Sequence, residues 1–278
     1  MFEGRTLLIA TMHEKEKALA PIFEKELGVK CVVSEKLNTD KLGTFSGEVE
    51  RMNDPVTTAR NKCLMAMRES DYDLVIASEG SFGFHPEIFF LPANEELLLF
   101  IDKKNNLEII VRELSTETNF NASEVFSVEE LLSFAEKVGF PEHGLILKNQ
   151  KDDFLEIVKG IVEKEWLINS FEKIVSKYGQ AYVETDMRGM YNPTRMKLIE
   201  KAATKLIKKI KSNCPECKTP GFGITSATPG LPCELCTWPT RSTVSYIYKC
   251  QKCSFEHEEK FPNGKTKEEP TYCDRCNP

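Results

Sequence analysis

Eight of the ten cysteines stand in four Cys-x-x-Cys pairs: Cys214/Cys217, Cys233/Cys236, Cys250/Cys253 and Cys273/Cys276, with 15, 13 and 19 residues between successive pairs. Two thiolates spaced this way ligate one metal from a tight turn. Two such turns complete a tetrahedral shell of four thiolates, the preferred structural zinc site. Four pairs therefore predict two Zn2+ ions, and gaps of hairpin length predict a double zinc ribbon. Consecutive pairing, first with second and third with fourth, is the arrangement adopted; interleaved pairing is the alternative. About 65 residues with few large hydrophobes need metal to fold.

A second group of residues suits phosphate chemistry. The run "DLVIASEG" at 73–80 reads as a buried strand ending on Glu79, followed by a glycine-flanked turn. Ligands of open α/β sheets bind beyond the carboxyl ends of strands, where a carboxylate can hold Mg2+. Glu184 and Asp186, spaced by two, share one face of an extended chain. Arg188, Asn192, Thr194 and Arg195 follow, at the start of a helix opened by Pro193. Thr11 lies at the first strand-to-helix joint with Lys15 and Lys17 just after it, where a helix N-terminus attracts anions. Glu79, with one or both of Glu184 and Asp186, would be the metal-holding catalytic acids. Thr11, Lys15 or Lys17, Arg188, Asn192, Thr194 and Arg195 would hold the substrate's phosphates.

The elements that must position these groups follow from periodicity. "RTLLIAT" is a strand, 13–27 a helix stopped by Gly28, and "VKCVVS" a second strand. Residues 35–53 read as a loop. Asp54 caps a helix beginning at Pro55. "EELLLFID" and "LEIIVRELS" form an antiparallel hairpin around "KKNN", and 112–123, rich in hydroxyl, amide and acid groups, reads as a polar turn or as the lining of a pocket. Ser127 with Glu130 is a capping box. "GLILK" is a strand, 151–178 is helical with a break near Gly160, "AYVET" is a strand, and a helix runs from Pro193 to about 211. The expected fold is α/β, a mixed, mostly parallel sheet covered by helices, over residues 1–212, with the cysteine-rich module at 213–278. Cys31 and Cys63 fall in a strand and a helix and read as buried thiols.

Composition limits the partners. The 278 residues carry a net charge of −6, and no run approaches a membrane span. The expected compartment is the cytoplasm, where ten cysteines favour metal over disulfides. From 213 onward eight basic residues meet eight acidic ones; two four-thiolate zinc sites would take that module to about −4, which disfavours nucleic acid. No P-loop, dinucleotide-binding or serine-hydrolase motif occurs.

Three stretches, "LLIATMHEKEKALAPIF", "DPVTTARNKCLMAM" and "DLVIASEGSF", resemble the inosine/xanthosine triphosphate pyrophosphatase superfamily, whose members act on nonstandard purine nucleotides. The resemblance covers about residues 5–115. It implies a phosphate-binding turn at Thr11 with Lys15 or Lys17, a signature helix at "TARNKC", and a metal-binding acid at Glu79. The whole chain is also similar to a bacterial family in which such a domain ends in a double zinc ribbon. Superfamily members usually lack such ribbons, and "TDMRGMYNPTRM" has no counterpart there. The expected function is Mg2+-dependent hydrolysis of a nucleotide phosphoanhydride. The alternative is a protein- or RNA-binding adaptor that uses the zinc module.

Overall fold

The computed structural model describes residues 1–34 and 37–278. Glu35 and Lys36, which open the expected 35–53 loop, lie outside the described residues. The chain divides into two compact units, Met1–Ile207 and Lys208–Pro278.

The first unit begins with β1 (Thr6–Ala10), α1 (Glu16–Leu27), β2 (Lys30–Val33), α2 (Pro55–Arg68) and β3 (Leu74–Phe84). The hairpin β4 (Pro92–Asp102) and β5 (Leu107–Ser115) follows. These strands form one sheet in the order β2-β1-β3-β4-β5. β1 pairs in parallel with β2 and β3, and the β3-β4-β5 ladder is antiparallel. The mixed α/β class holds, with the parallel part confined to β2-β1-β3. Local signals match their elements: Asp54 Oδ1 accepts from Val56 N and Thr57 N at the start of α2, and the helix lays Ala59, Cys63 and Ala66 on the face carrying Leu8, Val75, Ala77, Leu97 and Leu99. Cys63 is buried as expected, whereas Cys31, on the edge strand β2, is half-buried.

The remainder of this unit is β6 (Ala122–Val125), α3 (Val128–Lys137), β7 (Leu145–Lys148), β8 (Ile157–Ile161), α4 (Lys164–Tyr178), β9 (Ala181–Thr185) and all but the last four residues of α5 (Pro193–Lys211). A second, wholly antiparallel sheet runs β6-β9-β7-β8. Leu131 and Phe134 of α3, and Leu167, Phe171 and Ile174 of α4, share its core. Three sequence expectations change here. The polar turn at 112–123 ends in an edge strand, β6. The helix expected over 151–178 spans only α4, because 157–161 pairs with β7. Gly160, with φ +73°, sits where a Cβ would meet the Tyr191 ring at 2.6 Å, so a tertiary contact outweighs the local helical pattern.

The third correction concerns β3. It does not turn after Ser78 but pairs with β4 through to Phe84↔Pro92. Its parallel neighbour stops first, since Ala10↔Ala77 is the last β1–β3 pair. Glu79 thus stands in mid-strand, at the point where β1 ends.

The second unit carries the meander β10 (Gly223–Pro229), β11 (Thr243–Lys249) and β12 (Glu256–Lys260). Among the described residues, no helix is long and apolar enough to cross a membrane.

Candidate functional site

A cavity of about 470 Å³ opens in the first unit beyond the end of β1, within the range of small-molecule sites. The β1–α1 joint supplies Thr11, His13 and Lys15, α2 supplies Lys62, and β3 supplies Ser78 to Phe82. The 43–51 segment contributes Phe45 and Arg51. Phe120, Lys148, Phe154, Tyr182, Glu184, Arg188 and Arg195 complete the wall from the side of the second sheet and α5.

The cavity wall is rich in cations. Lys15 is buried, and its Nζ lies 2.8 Å from Ser78 Oγ, its hydrogen-bond partner among the described contacts. Burial, and then the charge of Arg195, push Lys15 down to about 7, with Lys62 adding to the push while Glu96 and Glu79 oppose it. His13 is held down to about 3 by burial and by Lys15, Arg188, Arg195 and Lys62. Glu79 is gripped by Lys62 Nζ and, at 3.3 Å, by Arg51 Nη1. Burial works to raise Glu79, but these cations and Lys15 hold it below the ordinary carboxylate value. Arg195 is buried under β3, its Nε on Glu96 Oε1 and its Nη1 on Met187 O. Gly80 makes this possible, because a Cβ there would stand 2.8 Å from Glu96 Oε1 and closer still to the guanidinium. Among the lining residues seven cations (Lys15, Arg51, Lys62, Lys148, Lys151, Arg188, Arg195) thus face four acids (Asp40, Glu79, Asp152, Glu184), with Glu96 and Asp186 paired to Arg195 and Arg188 behind the wall.

Aromatic rings interleave with these cations: Arg195 Cζ lies 5.0 Å from the centre of the Phe82 ring. Phe45 meets the edge of Phe82 at 5.1 Å, and Phe120 lies 5.8 Å from Phe82. Lys148 sits over Phe154 and 2.9 Å from Glu184 Oε1, off the line of a hydrogen bond. Burial pushes Glu184 up despite Lys148.

The structure therefore gathers Thr11, Lys15, Glu79, Glu184, Arg188 and Arg195 at one cavity. It places the others elsewhere. Lys17 is exposed and paired with Glu14. Asp186 is fully buried behind the wall, bound by Arg188 and by Gly160 N. Asn192 caps α5, accepting from Arg195 N at 2.9 Å. Thr194 Oγ1 meets His143 Nε2. The three acids expected to hold Mg2+ do not form one cluster. Among the described residues, groups of three or more His, Cys, Asp or Glu with ligand atoms within 4.8 Å occur only among the paired cysteines. Glu79 and Asp186 are each saturated by cations of their own. Glu79 and Glu184 line the same cavity, while Asp186 stands behind its wall, so two of the three carboxylates face one space.

Sequence reasoning passed over Arg51, Lys62 and Ser78. Lys62 carried a usable signal: it is buried in the stripe Thr58, Ala59, Lys62, Cys63, Ala66 of α2, and a lysine in a buried stripe needs a partner.

The cysteines form two sets, Cys214/Cys217/Cys250/Cys253 and Cys233/Cys236/Cys273/Cys276. Sulfurs lie 3.6 to 3.9 Å apart across each set. That is far from a disulfide bond of about 2 Å and close to the edge of about 3.8 Å that a tetrahedron with Zn–S near 2.3 Å requires. Both sets can hold a metal such as zinc. The consecutive pairing expected from sequence is corrected to interleaved, and the meander explains it. Each strand reverses the chain, so the turn before β10 meets the turn between β11 and β12, and the turn between β10 and β11 meets the one after β12. The isolated bridge Cys233↔Glu268 marks the second meeting. In the first three turns the residue after the second cysteine (Lys218, Thr237, Ser254) has φ near +59° (59°, 58° and 59°) and donates its N–H to the carbonyl of the first cysteine.

Comparison with known proteins matches residues 62–278 to the family described as Domain of unknown function (DUF6671). The match spans well over half of the chain, which therefore belongs to that family. No curated protein matches. The family description names no activity, and it lends no support to the pyrophosphatase resemblance.

Proposed function

We propose that the first unit binds a phosphate-bearing small molecule of nucleotide size and hydrolyses its phosphoanhydride, while the cysteine module is a metal-stapled appendage. The observation that carries this is the cation excess around Lys15, in a cavity whose wall also carries aromatic rings. An anion entering there offsets the cation excess around Lys15, whose Nζ has Ser78 Oγ as its hydrogen-bond partner. A planar base would stack on the Phe45, Phe82 and Phe120 edge. The cations around the phosphates would also stabilise charge that develops on phosphoryl oxygens.

The test is a panel of nucleoside triphosphates and inorganic pyrophosphate, with and without Mg2+, read by thermal shift, calorimetry and phosphate release. Binding that weakens with salt and is lost in Lys15→Met and Lys62→Met supports the proposal. No shift and no heat from any polyphosphate at low salt would sink it.

A further inference from the structure

We propose that Ser78 and Lys15 form a nucleophile–base pair, Ser78 Oγ attacking a phosphorus atom of the bound ligand while Lys15 Nζ receives its proton. This rests on the reading of the first unit as a phosphoanhydride site and names the group that performs the attack.

The pair is built by the fold. Ser78 lies one residue past the last β1–β3 pair, so β3 is covered there by β4 on one side only, and the other side opens into the cavity. Lys15 reaches it from the β1–α1 joint, 63 residues away in sequence, at 2.8 Å. Both line the cavity, although only 3% of Ser78 and 6% of Lys15 is exposed. Gly80, next on the same face of β3, admits the Arg195 guanidinium, and Arg195 is the charge that most disfavours a proton on Lys15. A lysine desolvated beside other cations is how a protein obtains a neutral amine near pH 7. A neutral amine accepts from the serine hydroxyl; an ammonium can only donate to it.

The step balances without a further reactant. The Ser78 Oγ–P bond forms as the P–O bond to the leaving phosphate breaks, and the hydroxyl proton passes to Lys15. The ligand's own negative charge raises the proton affinity of Lys15, so the attack draws on those bound complexes in which Lys15 is neutral, a fraction that grows as pH rises above 7. Lys15 then protonates the leaving oxygen. Water attacks the phosphoserine with Lys15 again as base; as the P–Oγ bond breaks, Lys15 passes that proton to Ser78 Oγ, releasing phosphate and regenerating both groups. Lys62, Arg51 and Arg188 stand at the wall to neutralise the phosphoryl oxygens.

The test is labelling of the full, folded chain by a fluorophosphonate, with the adduct located by peptide mass spectrometry. The expected result is an adduct on Ser78 whose rate rises with pH and levels off above about pH 7. It should fall by about 10²- to 10⁴-fold in Lys15→Met, as loss of a general base does, and Lys15→Arg should not restore it. Wild-type protein that stays unlabelled at Ser78, or a Ser78 rate indifferent to pH, overturns the pair without reference to any variant's folding. Pyrophosphate calorimetry on the same preparation separates the two claims: binding without Ser78 labelling removes the pair alone, and labelling without binding removes the phosphate reading.

Discussion

Removing thiols two at a time reads directly which cysteines share a metal. In Cys217→Ala/Cys250→Ala both deletions fall in one set, whose sulfurs lie 3.6 Å apart, and the other four-cysteine set is untouched. Bound metal should fall from two ions per chain to one. In Cys217→Ala/Cys236→Ala each set loses one thiolate, and no four-thiolate site remains. Consecutive pairing reverses both outcomes. The effect is large, because a structural zinc site carries an apparent ~10–16 kcal/mol of folding free energy. The module has little else to lean on: apart from cysteines, Pro220 and Leu231 are its buried apolar side chains among described residues 213–278. Native mass spectrometry gives the stoichiometry, and Co2+ substitution gives the thiolate charge-transfer band. One ion retained by Cys217→Ala/Cys236→Ala with full four-thiolate absorption, and none by Cys217→Ala/Cys250→Ala, would refute the meander argument.

Other outcomes follow from the cavity. Gly80→Ala must displace the Arg195–Glu96 pair and should cost about 1–3 kcal/mol, the range for overpacking, measured by urea unfolding. Arg195→Met leaves Glu96 fully buried and uncompensated, a loss of about 3–5 kcal/mol, and Glu96→Leu in the same chain should recover much of it. Free Lys15 titrates near 7, and a bound anion raises that value. Polyphosphate binding therefore takes up a proton above pH 7, and affinity should fall by up to tenfold per pH unit there; heats that do not vary with buffer ionisation enthalpy would contradict this. His13 has its folded value lowered from 6.5 to about 3. The unfolded chain binds that proton first, so stability drops as pH falls from 6.5 towards 3, by at most about 1.4 kcal/mol per unit. His13→Asn should flatten that part of the acid-unfolding curve.

What residue type and spacing settle by themselves here is local. Asp54 and Pro55 start α2, Asn192 and Pro193 start α5, and Cys-x-x-Cys makes a metal-binding turn, because each rests on bonds within four residues. The sequence also shows which segments are apolar enough to be strands, and hence the mixed α/β class. Partnership across distance came only from the tertiary structure. Whether Glu79 holds a metal or an ion pair depends on Lys62 and Arg51 arriving from α2 and the loop before it. The cysteine sets depend on the two strand reversals of the β10-β11-β12 meander, and spacing alone allows either pairing. Gly160 bends a strand because the Tyr191 ring occupies its side-chain space. Lys15 and Ser78, separated by 63 residues, meet because β1 stops where β3 continues, and no periodicity in either segment records where a neighbouring strand will end.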